Sequence, residues 1–532
     1  MKKISKIISL IALLTSLILS PLTSFAEGKV LNLATSAEPP TIDPSLSTDT
    51  TSGSIIDNVF ENLTEITPDQ EVVPGVAESW EISEDGLVYV FHLRKEAQWS
   101  NGDPVTARDF EFAWKRMLNP DTASPRANLY YDIQGAEAFN TGQGKVENVA
   151  IKALDDNTLE VTLNSPVAYF LELINHYAFA PVNQKVVEAN PDWALEAGPD
   201  YVTNGPFVLS QWNHQSDYTL EKSSTYWDKD QVHLDQVNVK IIESEATASS
   251  EFQAGSIDFL GAPYGSISLD SVPIFKDQGI LNKKAFSGIY WYKLNTTDPV
   301  IANVNIRKAL ALAINRQALI ENITYGNNQP ALGLVPATIP GFEEDRQYLK
   351  DADFKQAKEY LNKGLEELGM KSPEELNLKI SINTSEAHSA IAQFIQETWK
   401  QELGIQTEID NTEWQVYLDK IDTLDYQIGR MGWSGDYNDA ASFLEMYKTA
   451  DTPNNSTGWE NNDFKEKLNQ ARLELDPAKR TEILKEAEAI MMEDMPVIPI
   501  YYNESIFVQK DNLMNMKPDA IGRYNLKYVD LK

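Results

Sequence analysis

The sequence predicts an α/β protein built from several domains, and three observations support this class. The chain has 532 residues, which is too long for one hydrophobic core, so two or three domains are expected. Short strands of alternating polarity dominate up to about residue 294, and helical spacing of apolar residues dominates afterwards. A strand–helix–strand order over 376–409 then indicates parallel strand pairing in the later part of the chain.

The first 26 residues have the pattern of a secretory signal peptide. Lys2, Lys3 and Lys6 precede an apolar run over 7–19, and Ala26 is the small residue that a signal peptidase accepts. The run is too short for a stable transmembrane anchor, although an uncleaved anchor is the alternative. We therefore expect an exported protein whose mature chain begins after the signal.

Composition excludes several classes of function. The net charge of −34 argues against nucleic-acid binding, because the sequence has no basic patch to contact phosphates. The absence of cysteine excludes catalytic thiols, thiolate metal sites, disulfides and a lipid anchor on cysteine. The sequence also lacks metal-ligand spacing, a phosphate-binding loop and a nucleophile elbow, so we expect neither a cofactor nor an enzymatic activity.

The first half of the chain predicts mostly strands. Alternating apolar residues bounded by turn residues define four strand regions. Prolines on both sides of the segment that contains Glu38 make it extended and rigid. Thr106 and Asp109 have the spacing of a capping box at the start of a helix. The predicted strand regions are 29–34, a hairpin over 77–95 with its turn at 84–86, 159–163, and 203–241.

The second half predicts alternating helices and strands of a partly parallel sheet. Ligands of such sheets bind beyond the carboxyl ends of the strands. His388 follows one predicted strand end, and Arg430 and Asp436 follow another. The predicted elements are helices at 305–323, at 354–368 with Gly369 as the C-cap, and at 385–403, and strands at 376–382 and 405–409.

The stretch 430–444, RMGWSGDYNDAASFL, combines a cation, a tryptophan, small residues and a carboxylate. Gly432 and Ser434 favour an irregular turn after a short strand. An aspartate on such a turn suits an ammonium group, and an arginine suits a carboxylate, and a free peptide carries both groups. The alternative is a buried structural pair of Arg430 and Asp436 beside a core tryptophan.

This stretch resembles the ligand-binding signature of the oligopeptide-binding proteins of ABC importers, extracytoplasmic solute-binding family 5. The matching residues are an Arg-x-Gly-Trp-x-x-Asp-Tyr-Asn run from Arg430 and the Ser-Phe-Leu of 442–444, and the similarity extends over essentially the whole mature chain. The resemblance implies a class II periplasmic-binding-protein fold, in which two lobes close over a ligand by hinge motion and an α+β domain is inserted. The implied domains are domain I at 27–50, 193–287 and 503–532, domain II at 51–192, and domain III at 288–502.

The resemblance also implies residue roles. The aspartate that matches Asp436 holds the peptide's α-amino group, and the histidine that matches His388 meets the carboxyl end of longer peptides. Ile421 occupies a position where enteric members carry a second arginine, so one side-chain pocket is expected to be less cationic. Ser434 occupies the position of half a disulfide, so packing alone is expected to hold its loop. The candidate peptide-binding residues are Asp436, Arg430, Glu38, His388, Trp433, Gly432, Ser434, Trp414 and Tyr501.

Structural alternatives stay open for several of these residues. The alternative for Glu38 is a lone exposed glutamate. The alternative for Trp414 and Trp433 is core packing, and the alternative for His388 is a helix start in solvent. The remaining histidines show no ligand spacing, and we expect them to lack acidic partners. They are His92, His176, His214 and His233.

The resemblance implies a monomeric binding protein that captures short oligopeptides and delivers them to the permease subunits of an ABC importer. It implies a location in the periplasm or at the outer face of the cytoplasmic membrane. One competing class is a protein of the same fold for another ligand, such as a dipeptide, a nickel chelate or haem. The other is a secreted hydrolase, for which the sequence has no catalytic constellation.

Overall fold

The computed structural model describes residues 28–67, 71–167, 169–325, 328–343, 346–474 and 476–532. The predicted signal peptide, 1–26, lies outside the described residues. Within the described part of the chain, no helix combines the length and apolar character needed to cross a membrane.

Nineteen strands are described. In chain order they are β1 Val30–Thr35, β2 Thr64–Ile66, β3 Val72–Pro74, β4 Ala77–Ile82, β5 Val88–Leu93, β6 Ile151–Asp155, β7 Thr158–Thr162, β8 Phe207–Asn213, β9 Asp217–Lys222, β10 Gln236–Ile241, β11 Phe259–Leu260, β12 Asn282–Leu294, β13 Gln329–Pro330, β14 Leu378–Asn383, β15 Thr407–Thr412, β16 Ile428–Ser434, β17 Val497–Gln509, β18 Leu513–Met514 and β19 Asp530–Leu531.

The described α-helices number fifteen. They are α1 Thr50–Val59, α2 Ala107–Leu118, α3 Ala136–Asn140, α4 Phe170–Leu173, α5 Gln184–Ala189, α6 Glu245–Ala254, α7 Ser271–Asp277, α8 Val304–Leu312, α9 Arg316–Leu319, α10 Phe354–Leu368, α11 Glu386–Leu403, α12 Trp414–Asp422, α13 Ala441–Leu444, α14 Asn462–Leu473 and α15 Pro477–Asp494.

Two four-stranded sheets form the first part of the molecule. One has the order β1-β10-β9-β8, with β1 parallel to β10, and the other has the order β4-β5-β7-β6 and is antiparallel. The predicted hairpin is confirmed, and Gly86 adopts a φ of +70° in its turn. The capping box at the start of α2 is also confirmed, since Thr106 and Asp109 exchange backbone and side-chain hydrogen bonds.

The third sheet has seven strands in the order β11-β17-β12-β16-β14-β15, and β13 adds to β17. β14 is parallel to both β15 and β16, which confirms the strand–helix–strand prediction. The flanking helices end where the sequence predicts, because Ser385 caps α11 through the His388 N–H and Gly369 ends α10 in the left-handed conformation.

The buried residues form two large cores. One contains both four-stranded sheets, and we refer to residues 28–281 and 510–532 as the N lobe. The other lies under the seven-stranded sheet, and residues 295–496 are the C lobe. β12 and β17, thirteen residues each, pair with one another and join the two lobes. The predicted domain boundaries at 287/288 and 502/503 fall inside these two strands, and the three-domain division stays a prediction.

The predicted helix over 305–323 is broken. α8 ends at Leu312, α9 restarts at Arg316, and a π-helical turn follows at Ile320–Thr324. Asn315 caps α9 by accepting from the Ala318 N–H, and the fully buried Arg316 donates to the Pro499 and Ala311 carbonyls. Tertiary hydrogen bonds to a neighbouring strand thus override a continuous helical pattern.

Candidate functional site

A cavity of about 320 Å³ lies between the two lobes. Its N-lobe wall comes largely from α1 and nearby residues, and its C-lobe wall comes from α12 and β16. The joining strand β12 contributes Trp291 and Lys293. The described lining residues include four carboxylates and four cations, so their numbers are equal. The carboxylates are Asp49, Asp57, Asp422 and Asp436, and the cations are Arg126, Lys293, Arg430 and Arg523.

Asp436 is buried in this wall and is already paired. Its Oδ1 accepts from Arg126 Nη1 at 2.6 Å and lies 3.3 Å from His176 Nε2, and both partners belong to the N lobe. Burial raises the pKa of Asp436, but Arg126 and His176 outweigh burial and hold that pKa below its usual value. Among the described residues, no side chain or backbone group hydrogen-bonds to the second oxygen, Oδ2.

Arg126 is fixed by more than Asp436. Its Nη2 donates to the Thr48 carbonyl at 2.8 Å and to the Tyr177 hydroxyl at 3.2 Å. Its guanidinium also lies 5.1 Å from the centre of the Trp433 ring. Arg126 therefore has two partners in its own lobe, Thr48 and Tyr177, besides Asp436 and Trp433 of the C lobe.

The loop around Asp436 is held by hydrogen bonds to Ser442 and Ser287. The Ser442 hydroxyl accepts from the Asp436 N–H at 2.6 Å, and its carbonyl accepts from the Trp433 indole at 2.9 Å. The Gly435 N–H donates to the Ser287 carbonyl at 2.9 Å. The expectation that packing alone holds this loop is therefore wrong, because hydrogen bonds replace the missing covalent bridge.

Arg430 does not pair with Asp436, so the alternative of a structural Arg430–Asp436 pair is wrong. Arg430 donates to Asn383 Oδ1 at 3.2 Å, and its guanidinium lies 4.8 Å from the centre of the Tyr290 ring. β16 residues alternate between the two faces of the sheet, so Arg430 and Trp433 are directed to opposite sides.

His388 and Tyr501 gather around the same tyrosine as Arg430. His388 Nδ1 lies 3.3 Å from the Tyr290 hydroxyl, and the Tyr501 ring stacks on Tyr290 at 4.9 Å. Burial and the neighbouring Arg430 hold the pKa of His388 well below its usual value. Neither His388 nor Tyr501 is among the described residues that line the 320 Å³ cavity.

The remaining candidates divide between the cavity and the surface. Gly432, Ser434, Trp433 and Trp414 line the cavity together with Asp436 and Arg430. Glu38 lies elsewhere, where its Oε1 contacts His214 Nδ1 at 2.8 Å and its Oε2 accepts from the Gln215 N–H at 2.8 Å.

The expectation that the other histidines lack acidic partners is wrong for three of them. His176 contacts Asp436, His214 contacts Glu38, and His92 Nε2 lies 3.3 Å from Glu81. Burial lowers the pKa of His176 to about 4, against the opposing effect of Asp436, so this imidazole is neutral near pH 7. The partners of His176 and His214 are distant in sequence, so residue spacing gave no signal of those two contacts. Glu81 and His92 lie on the two paired strands of the predicted hairpin.

Sequence reasoning also missed three cations of the wall, Arg126, Lys293 and Arg523. Arg126 stands 310 positions from Asp436, and no local pattern connects them. Lys293 was visible as the one charged residue in the run Ile289–Leu294. It lines the same cavity as Ile421, and the expectation of a less cationic pocket at Ile421 than in enteric members stays a prediction.

Comparison with known proteins places the chain in a family. The model described as bacterial extracellular solute-binding proteins, family 5 Middle, matches residues 71–455. The chain is 47% identical over 500 residues to the oligopeptide-binding protein OppA of Bacillus subtilis (strain 168), covering 93% of this chain and 92% of OppA. It is 36% identical over 510 residues to the dipeptide-binding protein DppE of the same organism, covering 94% and 92%.

Two solved structures of the murein tripeptide-binding protein MppA match this chain with different TM-scores. The Escherichia coli MppA structure gives a TM-score of 0.87 at 28% identity, over 96% of this chain and 99% of that chain. A structure described as the unliganded open form of MppA gives only 0.63 at 29% identity, over 95% and 98%. The lobes of this chain are therefore arranged differently from those of that open form. Given the family match and the sequence identities, the chain belongs to the bacterial extracellular solute-binding proteins, family 5.

Proposed function

We propose that this protein captures short oligopeptides in the cavity between its lobes and delivers them to the permease subunits of an ABC importer. The observation that carries the proposal is the wall of four carboxylates and four basic side chains around the cavity between the lobes. A peptide zwitterion is neutral overall and carries one ammonium and one carboxylate, so it matches such a wall. The volume of about 320 Å³ is at the lower end of ligand pockets, roughly 300–1,000 Å³, which favours short peptides.

Asp436 is the group that we assign to the peptide's α-ammonium, through its oxygen Oδ2. Because Oδ1 already accepts from Arg126, the ammonium adds a charge-assisted hydrogen bond to a neutralised carboxylate. Such a bond contributes about 1.5–3 kcal/mol, which is less than an isolated buried ion pair. The expected contribution to affinity is therefore about 10- to 100-fold.

The other end of the peptide is assigned to the group around Tyr290. Arg430 is the cation that suits a terminal carboxylate, and His388 and Tyr501 lie beside it for longer peptides. Gly432 and Ser434 offer the β16 backbone for pairing with an extended chain, which gives affinity without reading side chains. A direct peptide contact for Glu38 stays a prediction.

The described arrangement is the closed one, in our interpretation. Three contacts between residues distant in sequence support closure: Arg472 Nε donates to Asp132 at 2.9 Å, Tyr169 stacks on Tyr437 at 4.4 Å, and Ser385 donates to Glu245 at 2.6 Å. The lower TM-score to the open form of MppA agrees with this interpretation. Opening would separate these partners and expose the cavity to peptide.

We also propose that the protein binds peptides without cleaving them. The protein would bind and release intact peptides as an exported monomer, at the outer face of the membrane or in the periplasm, without a lipid on cysteine. Incubation with peptides and recovery of unchanged masses is the check. Cleavage products would instead favour the secreted hydrolase.

The test of the proposed function is titration calorimetry with tripeptides and their N-acetylated forms, using protein freed of co-purified ligand. Free tripeptides should bind, and acetylation should weaken binding by about 10- to 100-fold. Asp436→Asn should cause a similar loss, and the two losses should not add, because they remove the same contact. Asp439→Asn is the matched control, since it breaks an arginine pair with Arg480 outside this cavity.

Equal binding of free and acetylated peptides by the wild-type protein would remove Asp436 from the ligand site. Absence of binding by any tripeptide would remove peptides as the ligand class. The same titrations with dipeptides, a nickel chelate and haem then decide among the other ligands of this fold.

A further inference from the structure

Lys293 is a buried cation on the cavity wall, and neither of the proposed contacts to the peptide termini involves it. It lies in β12, two residues after Trp291, so both side chains are directed to the same face of the strand. Lys293 is only 2% exposed, and both residues line the 320 Å³ cavity beside α12 and β16.

The Lys293 ammonium has too few partners for its burial. It donates to the Asn454 carbonyl at 2.5 Å, although an ammonium group has three donors. Among the described residues it has no ion-pair partner, and Asp422 acts on its charge only from a distance. A buried charge without a counter-ion is costly, so an anion bound beside Lys293 would stabilise its charged form.

Two tryptophans that line the same cavity carry donors without acceptors. The indole nitrogens of Trp291 and Trp414 are buried and have no hydrogen-bond partner within the described part of the chain. Trp414 stands at the start of α12, and Ile421 on the same helix supplies apolar surface. A group that accepts several hydrogen bonds and carries negative charge would satisfy the ammonium and these indoles together.

We propose that Lys293, with the indoles of Trp291 and Trp414, forms a subsite for a carboxylate side chain, so that the protein prefers peptides with Asp or Glu at one position. The inference rests on the proposed function, because it assigns a side-chain preference within the same peptide cavity. A carboxylate has two acceptor oxygens and a full charge, whereas an amide side chain of the same shape has one acceptor and no charge.

The peptide's own terminal carboxylate is the other source of the same chemistry. Arg430 is already available for the terminus, next to Tyr290 on the opposite face of β16 from Met431. Met431 and Trp414 both line the cavity, and both pack against the small cluster of Tyr417, Ile421 and Tyr426. The separation of the two cations favours a side chain at Lys293 and the terminus at Arg430.

The test is calorimetry with a set of alanine tripeptides that carry Glu or Gln at each of the three positions. At one position the wild-type protein should bind the Glu peptide at least tenfold more tightly than the Gln peptide. Amidation of the carboxyl terminus should leave that ratio unchanged. If amidation abolishes the ratio, the carboxylate at Lys293 is the terminus, and the side-chain assignment is overturned.

Variants of Lys293 give the complementary result. Lys293→Met should reduce the Glu-to-Gln affinity ratio to about one, whatever its effect on the affinity for alanine tripeptides, and Lys293→Glu should reverse the preference in favour of a Lys-containing peptide. Lys283→Met is the matched control, because Lys283 is in the same strand but outside the cavity wall. Circular dichroism checks the folding of each variant. The Glu-to-Gln affinity ratio of the wild-type protein tests the proposal even if a variant does not fold.

Two failures are distinguishable. If tripeptides bind but Glu and Gln peptides bind equally at every position, this inference is wrong and the proposed function stands. If no tripeptide binds to the wild-type protein, the proposed function is wrong and this inference falls with it.

Discussion

Two lysines of this protein are equally buried and have opposite surroundings. Lys527 is 3% exposed, and its Nζ lies 2.8 Å from Glu65 and 2.9 Å from Asp228. Lys293 is 2% exposed and has a single backbone acceptor, the Asn454 carbonyl. Burial opposes the charge of both, but only the carboxylates around Lys527 outweigh burial and raise its pKa, whereas the pKa of Lys293 falls to about 7.

The difference separates a buried charge that the fold itself compensates from one that a bound ligand would compensate. Lys527 completes a network that includes Glu61, so its interactions are satisfied by the fold itself. Lys293 lies on the wall of the cavity with unused donors, so its interactions are satisfied only from outside. The three predictions that follow test this contrast on the unliganded protein.

Lys527→Met should give the largest effect. Removing this cation leaves Glu65 and Asp228 without their partner in a poorly solvated site, which costs about 3–5 kcal/mol of unfolding free energy. Urea unfolding at pH 7 measures the loss. A loss below about 1 kcal/mol would mean that Lys527 is no better compensated than Lys293.

The pH dependence of stability should come next in size. The folded pKa of Lys293, about 7, is below the ordinary value of 10.5, so between these pH values the unfolded chain binds a proton that the folded chain lacks. Stability contributed by this group therefore rises with pH. From pH 7 to pH 9 the wild-type protein should gain about 2 kcal/mol relative to Lys293→Met.

Unfolding curves of both proteins at the two pH values measure that difference. Asp422 is the nearby charged group that acts on Lys293, and burial raises the pKa of its carboxyl against the opposing effect of Lys293. Parallel pH profiles of the two proteins would show that Lys293 is charged and compensated, which would contradict the contrast.

Lys293→Met at pH 7 should give the smallest effect. The apolar side chain removes a poorly compensated charge, and this gain is partly offset by the lost hydrogen bond to Asn454. We expect the unfolding free energy to rise by about 1 kcal/mol. A fall of 3 kcal/mol or so, like that expected for Lys527→Met, would show that Lys293 is a structural residue.

The sequence by itself determined the elements whose signals are local. The alternation and helical spacing between residues 354 and 412 predicted α10, β14, α11 and β15, because Gly369 and Ser385 supply caps at the helix ends. The same reasoning failed over 305–323, where Arg316 donates to the Pro499 carbonyl, 183 positions away. A helical pattern cannot report a partner that only folding brings near.

For the candidate site, the sequence identified the stretch around Asp436 and Trp433, because a short run of residues carries that signal. Only the tertiary structure decided which groups face them. Arg126 reaches Asp436 across 310 positions, and His176 approaches the same oxygen. In the sequence, Lys293 is one charge in an apolar strand. Only the tertiary structure shows that its ammonium is buried beside the cavity and that the described residues supply no counter-ion. Charge compensation depends on distances in space, which neither spacing nor composition determines.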